Sequence, residues 1–146
     1  MAAKSSTRPS PPPAGAVAWR NAIFVVFALG GIALASWVPR LPAVRDALEL
    51  SPAQVGALIF GMAAGSIIGL VGSSIIVARL GARSTMMWGT IAAAAGVAIA
   101  GTGGTFSNFA VAFVGPFVFG AALVITDVAM NVSGAANERT LGRSIM

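Results

Sequence analysis

One acidic residue, Asp127, lies inside a long apolar stretch of the sequence and is the residue best suited to carry chemistry. Ionisable side chains are costly inside a membrane and usually mark ion or solute pathways. Asn131 follows one helical turn later, and Gly120 precedes on the same face, so a carboxylate and an amide would share a face of small residues. This pair is a candidate lining of a solute path, able to bind a polar solute or relay a proton.

A second interpretation places Asp127 in an ion pair. The residue lies near the end of its apolar stretch and therefore close to one membrane surface, where a short loop carries Arg79 and Arg83. An unpaired buried charge is costly, so either arginine could stabilise the carboxylate. The ion-pair role, the solute-path role and no particular role all remain open at this stage.

Other kinds of chemistry lack the side chains that they need. The sequence contains no His and no Cys, which removes the commonest general base, the commonest metal ligand and any thiol nucleophile. We therefore expect no enzymatic activity, no cofactor and no metal site. The net charge of +5 does not indicate a nucleic-acid partner, because the basic residues lie at the ends of apolar runs and form no stripe on a polar helix.

The elements that position these residues are predicted to be membrane-spanning helices. The chain is 57% hydrophobic and 9% charged, against about 25% charged in an average soluble domain. The uncharged stretch between Arg83 and Asp127 is about twice as long as one span needs, so it must fold back, and Gly101–Asn108 is its only cluster of turn residues. The prediction is an all-α integral membrane protein, a bundle of four transmembrane helices at about 21–39, 52–78, 85–100 and 109–132.

Charge distribution predicts how the chain is arranged across the membrane. Residues 1–18 are rich in Pro and Ser and are predicted to be a disordered cytoplasmic tail, followed by a transmembrane domain over 19–146. Seven basic residues fall on one side of the four spans and two on the other, which predicts that both termini are cytoplasmic. Arg outnumbers Lys eight to one in an Ala- and Gly-rich sequence, which suggests a GC-rich bacterial genome. The predicted location is therefore a bacterial inner membrane, with the lipid bilayer as a partner.

The second span carries a periodic row of small residues. Gly61, Gly65, Gly69 and Ser73 recur every four residues and form one flat helix face, which we call the small-residue ridge. Such a face allows another helix backbone to approach closely, so helix packing is predicted for it. A solute path or a dimerisation face would also use small residues. The span begins with Ser51, Pro52 and Gln54, which predict a capping box.

The connection between spans two and three resembles a motif of the major facilitator superfamily, G-x-x-x-D-R-x-G-R-[RK]. Arg79, Gly81 and Arg83 match three of its fixed positions, whereas Ser74, Ala78 and Ala82 depart from it. The end of the fourth span, with Asp127 to Val132 followed by Glu138-Arg139, resembles a sugar-permease-like bacterial branch of the same superfamily.

The resemblance implies a twelve-helix secondary transporter made of two six-helix halves that works by alternating access. This chain would be the first four helices of the N-terminal half, with the remaining helices, a small polar solute and protons as partners. In the family, an acidic residue at the inner end of helix four often joins the loop of Arg79, Gly81 and Arg83 in a charge network. The alternative is a complete small four-helix membrane protein that acts as an assembly or regulatory subunit.

Overall fold

The computed structural model describes residues 14–106 and 108–141, and within these ranges the regular structure is entirely helical. The helices are α1 (Ala14–Trp37), a 3-10 turn (Val38–Arg40), α2 (Leu41–Ala47), α3 (Pro52–Leu80), α4 (Ala82–Thr105) and α5 (Phe109–Leu141). Among the described residues, four segments are long and apolar enough to cross a membrane, namely Gly15–Ala47, Pro52–Leu80, Ala82–Gly103 and Phe109–Arg139. The prediction of an all-α membrane helix bundle is confirmed.

Helix α5 is the central helix of the bundle and packs against the other three long helices. It runs parallel to α3, because Gly61, Gly65 and Gly69 lie against Phe113, Phe117 and Ala121 in that order. It runs antiparallel to α4, because Gly96 and Gly103 of α4 lie against Phe119 and Ala112 of α5, respectively. It also runs antiparallel to α1, because Gly30 lies against Leu123 whereas the earlier Ala16 accepts a hydrogen bond from the later Asn137. The four helices therefore alternate in direction.

Buried apolar side chains form three clusters along α5. The first cluster lies near the α3–α4 connection and contains Ala129 and Met130 of α5. The second lies in the middle of the bundle and contains Phe119 and Ala122. The third lies near the connection that follows α2 and contains Ala112. Pro116 lies inside α5 and is fully buried, and the helix continues through it. Neighbouring helices compensate such interruptions in membrane proteins.

The two ends of α3 are built by local sequence signals. The predicted capping box is confirmed, since the Ser51 hydroxyl accepts from the Gln54 amide at 3.3 Å and the Gln54 side chain accepts from the Ser51 amide at 2.9 Å. At the other end Gly81 alone connects α3 to α4, with φ 76° and ψ 152°, a conformation essentially confined to glycine. The Gly81 amide donates to the Val77 carbonyl at 2.9 Å.

The turn between α4 and α5 starts later than the sequence indicates. Residues 101–105, predicted to belong to the turn, are helical, and Gly103 lies against the backbone of Ala112 in α5. The Thr102 hydroxyl donates to the Ile99 carbonyl at 2.8 Å, so this polar residue is accommodated within the helix. Glycine and threonine here permit a close helix–helix contact, which is why α4 is longer than the predicted 85–100.

The helices α1 and α5 also extend beyond the predicted spans. Helix α1 begins at Ala14, so residues 14–18 of the predicted disordered tail are helical, and residues 1–13 lie outside the described residues. Helix α5 continues past 132 to Leu141. A buried hydrogen bond of 3.1 Å from the Asn137 side chain to the Ala16 carbonyl joins the two extensions.

Candidate functional site

The two candidate solute-path residues lie side by side on α5. The Asn131 side-chain amide donates to the Asp127 carboxylate at 3.4 Å, near the long limit for a hydrogen bond. Both side chains are exposed on the surface of the bundle. Neither side chain is therefore buried by packing among these four helices.

Asp127 lies on a groove between α1 and α5, which we call the Asp127 groove. Its walls are Phe27, Gly30, Gly31 and Leu34 from α1 and Leu123, Val124, Asp127 and Met130 from α5. Gly30 brings α1 close to α5, since a Cβ built there would lie 3.2 Å from the Leu123 side chain. Asp127 contributes the charge of an otherwise apolar lining.

The helix register gives the depth of Asp127. Continuing the α3–α5 register past Gly69 and Ala121 places Ile75 level with Asp127, and Arg79 level with Asn131. The α4–α5 register, set by Gly89 against Thr126, places Arg83 level with Val132. Both arginines therefore lie about 6 to 8 Å closer to that end of the bundle than Asp127 does, at 1.5 Å per helical residue.

The structure does not bring Asp127 together with Arg79 or Arg83. Asp127 faces the α1 side of α5, and neither arginine lies within ion-pair distance of its carboxylate. The Arg83 guanidinium lies instead over the Trp19 ring, 6.0 Å from the ring centroid, a distance at which cation–π attraction operates. Arg79 is exposed at the end of α3, and Gly81 forms the connection that separates the two arginines. The partner that the structure gives the Asp127 carboxylate is the Asn131 amide.

The small-residue ridge is buried against α5 along its whole length. Gly61, Gly65, Gly69 and Ser73 are all buried. A Cβ built on Gly65 would overlap the Phe117 carbonyl oxygen, and one built on Gly69 would lie 2.5 Å from the Ala121 carbonyl oxygen. The Ser73 hydroxyl donates to the Leu70 carbonyl at 2.7 Å. Because α5 of the same chain covers the ridge, it is available neither as a dimerisation face nor as a lining of a solute path.

Three polar residues of α5 are buried, namely Thr126, Ser133 and Asn137, and none of them was identified as such from the sequence. Asn137, 5% exposed, joins α5 to the start of α1, and the Thr126 hydroxyl donates to the Ala122 carbonyl at 2.8 Å where Gly89 makes room for it. The contact between Gly89 and Thr126 depends on the register of α4 against α5, which the sequence alone does not give. Within residues 14–106 and 108–141 there is no group of three or more potential metal-ligating side chains.

The fold and the Asp127 groove define an α-helical multi-pass membrane protein with a carboxylate on an otherwise apolar groove between α1 and α5. The chain is 27% identical over 122 residues to an uncharacterized MFS-type transporter of Yersinia pestis, covering 84% of this chain and 31% of that protein. It is 29% identical over 128 residues to an uncharacterized transporter of Sinorhizobium fredii, covering 88% of this chain and 33% of that protein.

These relatives confirm the resemblance to transporters of the major facilitator superfamily that the loop motif indicates. The chain spans about a third of the length of the two curated relatives. No family model and no solved structure matches it.

Proposed function

We propose that this chain forms part of a secondary active transporter that works by alternating access, and that Asp127 and Asn131 line the path of a small polar solute or a proton. The observation that carries the proposal is an exposed carboxylate, Asp127, which lines an apolar groove between two membrane-spanning helices and accepts a hydrogen bond from Asn131. The transporter names of the two relatives support the same class of function.

Each residue of the pair has a distinct role in this proposal. The Asp127 carboxylate accepts hydrogen bonds from the solute or takes up a proton, and the Asn131 amide holds it in position by donating one of its two N–H groups. The apolar walls of the Asp127 groove strengthen such interactions, because the local dielectric constant is low. The complete transporter would contain further helices, and these would cover the Asp127 groove and complete the solute path.

The close packing of α3 and α4 against α5 would make these three helices a rigid unit during alternating access. Backbone meets backbone at Gly65 against Phe117, at Gly69 against Ala121 and at Gly96 against Phe119. Contacts of this kind leave no room for relative sliding, because packed interfaces are not continuously deformable. Helices α3, α4 and α5 would therefore move as one body when the path opens to either side.

The proposed membrane orientation rests on the distribution of charge between the two ends of the bundle. One end carries Arg20, Arg79, Arg83 and Arg139. The other end carries Arg40 and Arg45, and there Asp46 forms an ion pair with Arg45 at 2.8 Å. The positive-inside rule favours the arginine-rich end as the cytoplasmic one, with the protein in a bacterial inner membrane.

Cysteine labelling tests this orientation, and the chain itself contributes no native Cys that would react. In intact cells, Ser51→Cys and Thr105→Cys are expected to react with a membrane-impermeant thiol reagent, since both positions lie at the end proposed to be external. Ser5→Cys is expected to react only after the cells are permeabilised. Labelling of Ser5→Cys in intact cells would reverse the orientation.

Labelling at matched depth tests whether Asp127 faces an aqueous path. Asp127 and Ile75 lie level with each other, and Ile75 is exposed on the apolar surface of α3. In the complete transporter, Asp127→Cys is expected to react with a hydrophilic thiol reagent, because a water-accessible thiol ionises. Ile75→Cys is expected not to react, because its thiol would lie in lipid. Equal reactivity at the two positions, or no reaction at position 127, contradicts a solute path along the Asp127 groove.

A further inference from the structure

A second groove lies between α1 and α4, and we call it the α1–α4 groove. Trp19, Ala22 and Val26 line it from α1, and residues from Arg83 to Ile91 line it from α4. The Thr90 hydroxyl donates to the Met86 carbonyl at 2.8 Å, so this polar group is already satisfied. Below its mouth the groove therefore offers apolar surface without a polar group that needs a partner.

The mouth of the α1–α4 groove is cationic and aromatic. Arg83 lies over the Trp19 ring at the arginine-rich end of the bundle, where tryptophan and arginine typically meet the headgroup region. Within the described parts of the chain no hydrogen-bond acceptor or carboxylate meets the Arg83 guanidinium. Its N–H donors are therefore free to bind an anion, and a guanidinium matches a phosphate in geometry.

The groove continues inward far enough to hold an acyl chain. A neighbouring depression shares Val26 and Thr90 with it and extends along α1 to Ala33. From Trp19 to Ala33 the rise is about 21 Å at 1.5 Å per residue. One leaflet of the hydrocarbon core is about 15 Å thick, so a lipid tail anchored at Trp19 would lie in the groove along its full length.

We infer that the α1–α4 groove binds an anionic phospholipid of the leaflet at the arginine-rich end, with the phosphate on Arg83 and one acyl chain between α1 and α4. Charge complementarity favours this occupant, because a cation that lacks a carboxylate partner lies at the mouth of an apolar groove that opens at headgroup level. The inference depends only on the membrane setting and not on the proposed transport function.

Quenching of Trp19 fluorescence by brominated lipids provides the test. In the purified 146-residue chain, Trp37→Phe and Trp88→Phe leave Trp19 as the single tryptophan, and this variant is reconstituted in phosphatidylcholine vesicles. A minor fraction of acyl-brominated phosphatidylglycerol is expected to quench Trp19 more strongly than the same fraction of acyl-brominated phosphatidylcholine. Arg83→Gln is expected to lower this preference about fivefold, whereas Arg83→Lys, which keeps the charge, retains most of it.

Arg20→Gln is the matched control, because Arg20 lies at the same end of the bundle and donates to the Asn21 side chain at 3.1 Å, away from the groove. It should leave the lipid preference unchanged, and Ala22→Phe, which fills the groove, should lower quenching by both lipids. Equal losses for Arg83→Gln and Arg20→Gln would show general charge attraction and overturn the site. Absence of quenching by either lipid would show that another helix covers the groove, and overturns it as well.

Discussion

Gly65→Ala is expected to destabilise the bundle by about 3 kcal/mol, and Gly65→Leu by more, because the site has no room for a side chain. A Cβ at this position overlaps the carbonyl oxygen of Phe117, which belongs to the backbone of α5 and cannot move aside as a flexible side chain would. The α3 and α5 backbones would have to separate along the whole small-residue ridge. Thermal unfolding in detergent, followed by loss of monodisperse protein, measures the effect.

Gly72→Ala is the matched control for this substitution. Gly72 lies on the same helix, and a Cβ there would meet only the end of the Ile76 side chain, at the ordinary contact distance of 3.8 Å. Alanine also favours a helix over glycine by about 1 kcal/mol, so Gly72→Ala should be neutral or stabilising. If Gly65→Ala and Gly72→Ala unfold at the same temperature, the close approach of α3 and α5 is wrong.

Helix number and the boundaries of α3 could be predicted because they depend on local signals. The apolar runs exceed the length of a span. The capping box at the start of α3 is formed by Ser51 and Gln54, which belong to the same four-residue segment. The spacing of Gly61, Gly65 and Gly69 likewise predicts a flat face, although it does not say which helix covers that face. The structure supplies α5 as the partner.

The positions of the other helix ends depend on tertiary contacts that the sequence pattern does not contain. Gly103 looks like a turn residue, but it lies in α4 because Ala112 of α5 packs against it. Asn137 looks like a residue beyond the span, but its bond to Ala16 holds the ends of α5 and α1 together. Both cases involve residues whose small size or polarity is used between helices, where local propensity gives no information.

The environment of Asp127 could be predicted only in part. Its one-turn spacing to Asn131 is a property of any helix, and the structure shows the two side chains in contact. Its relation to Arg79 and Arg83 depends on helix register and on which way α5 is rotated. The register places the arginines closer to the end of the bundle, and the rotation turns Asp127 toward α1.

Asp127→Asn is expected to lower kcat/KM for transport about ten- to a hundredfold while leaving folding intact. A hydrogen bond to a charged group contributes about 1.5 to 3 kcal/mol, and the substitution removes the charge without changing the shape of the side chain. Because Asp127 is exposed on the Asp127 groove and fills no packed position, the unfolding temperature should change little. Arg79→Gln, which removes a charge at the level of Asn131, should have a much smaller effect on transport.

A double-mutant cycle on transport in the complete transporter determines whether Asp127 acts together with Asn131, with Asp127→Asn combined once with Asn131→Ala and once with Arg83→Gln. Residues in contact typically couple by about 0.5 to 3 kcal/mol, whereas distant residues are additive. We expect coupling between positions 127 and 131 and additivity between positions 127 and 83, since Asn131 contacts the carboxylate and Arg83 lies over Trp19. Coupling to Arg83 without coupling to Asn131, or unchanged transport by Asp127→Asn, would contradict a solute path at this pair.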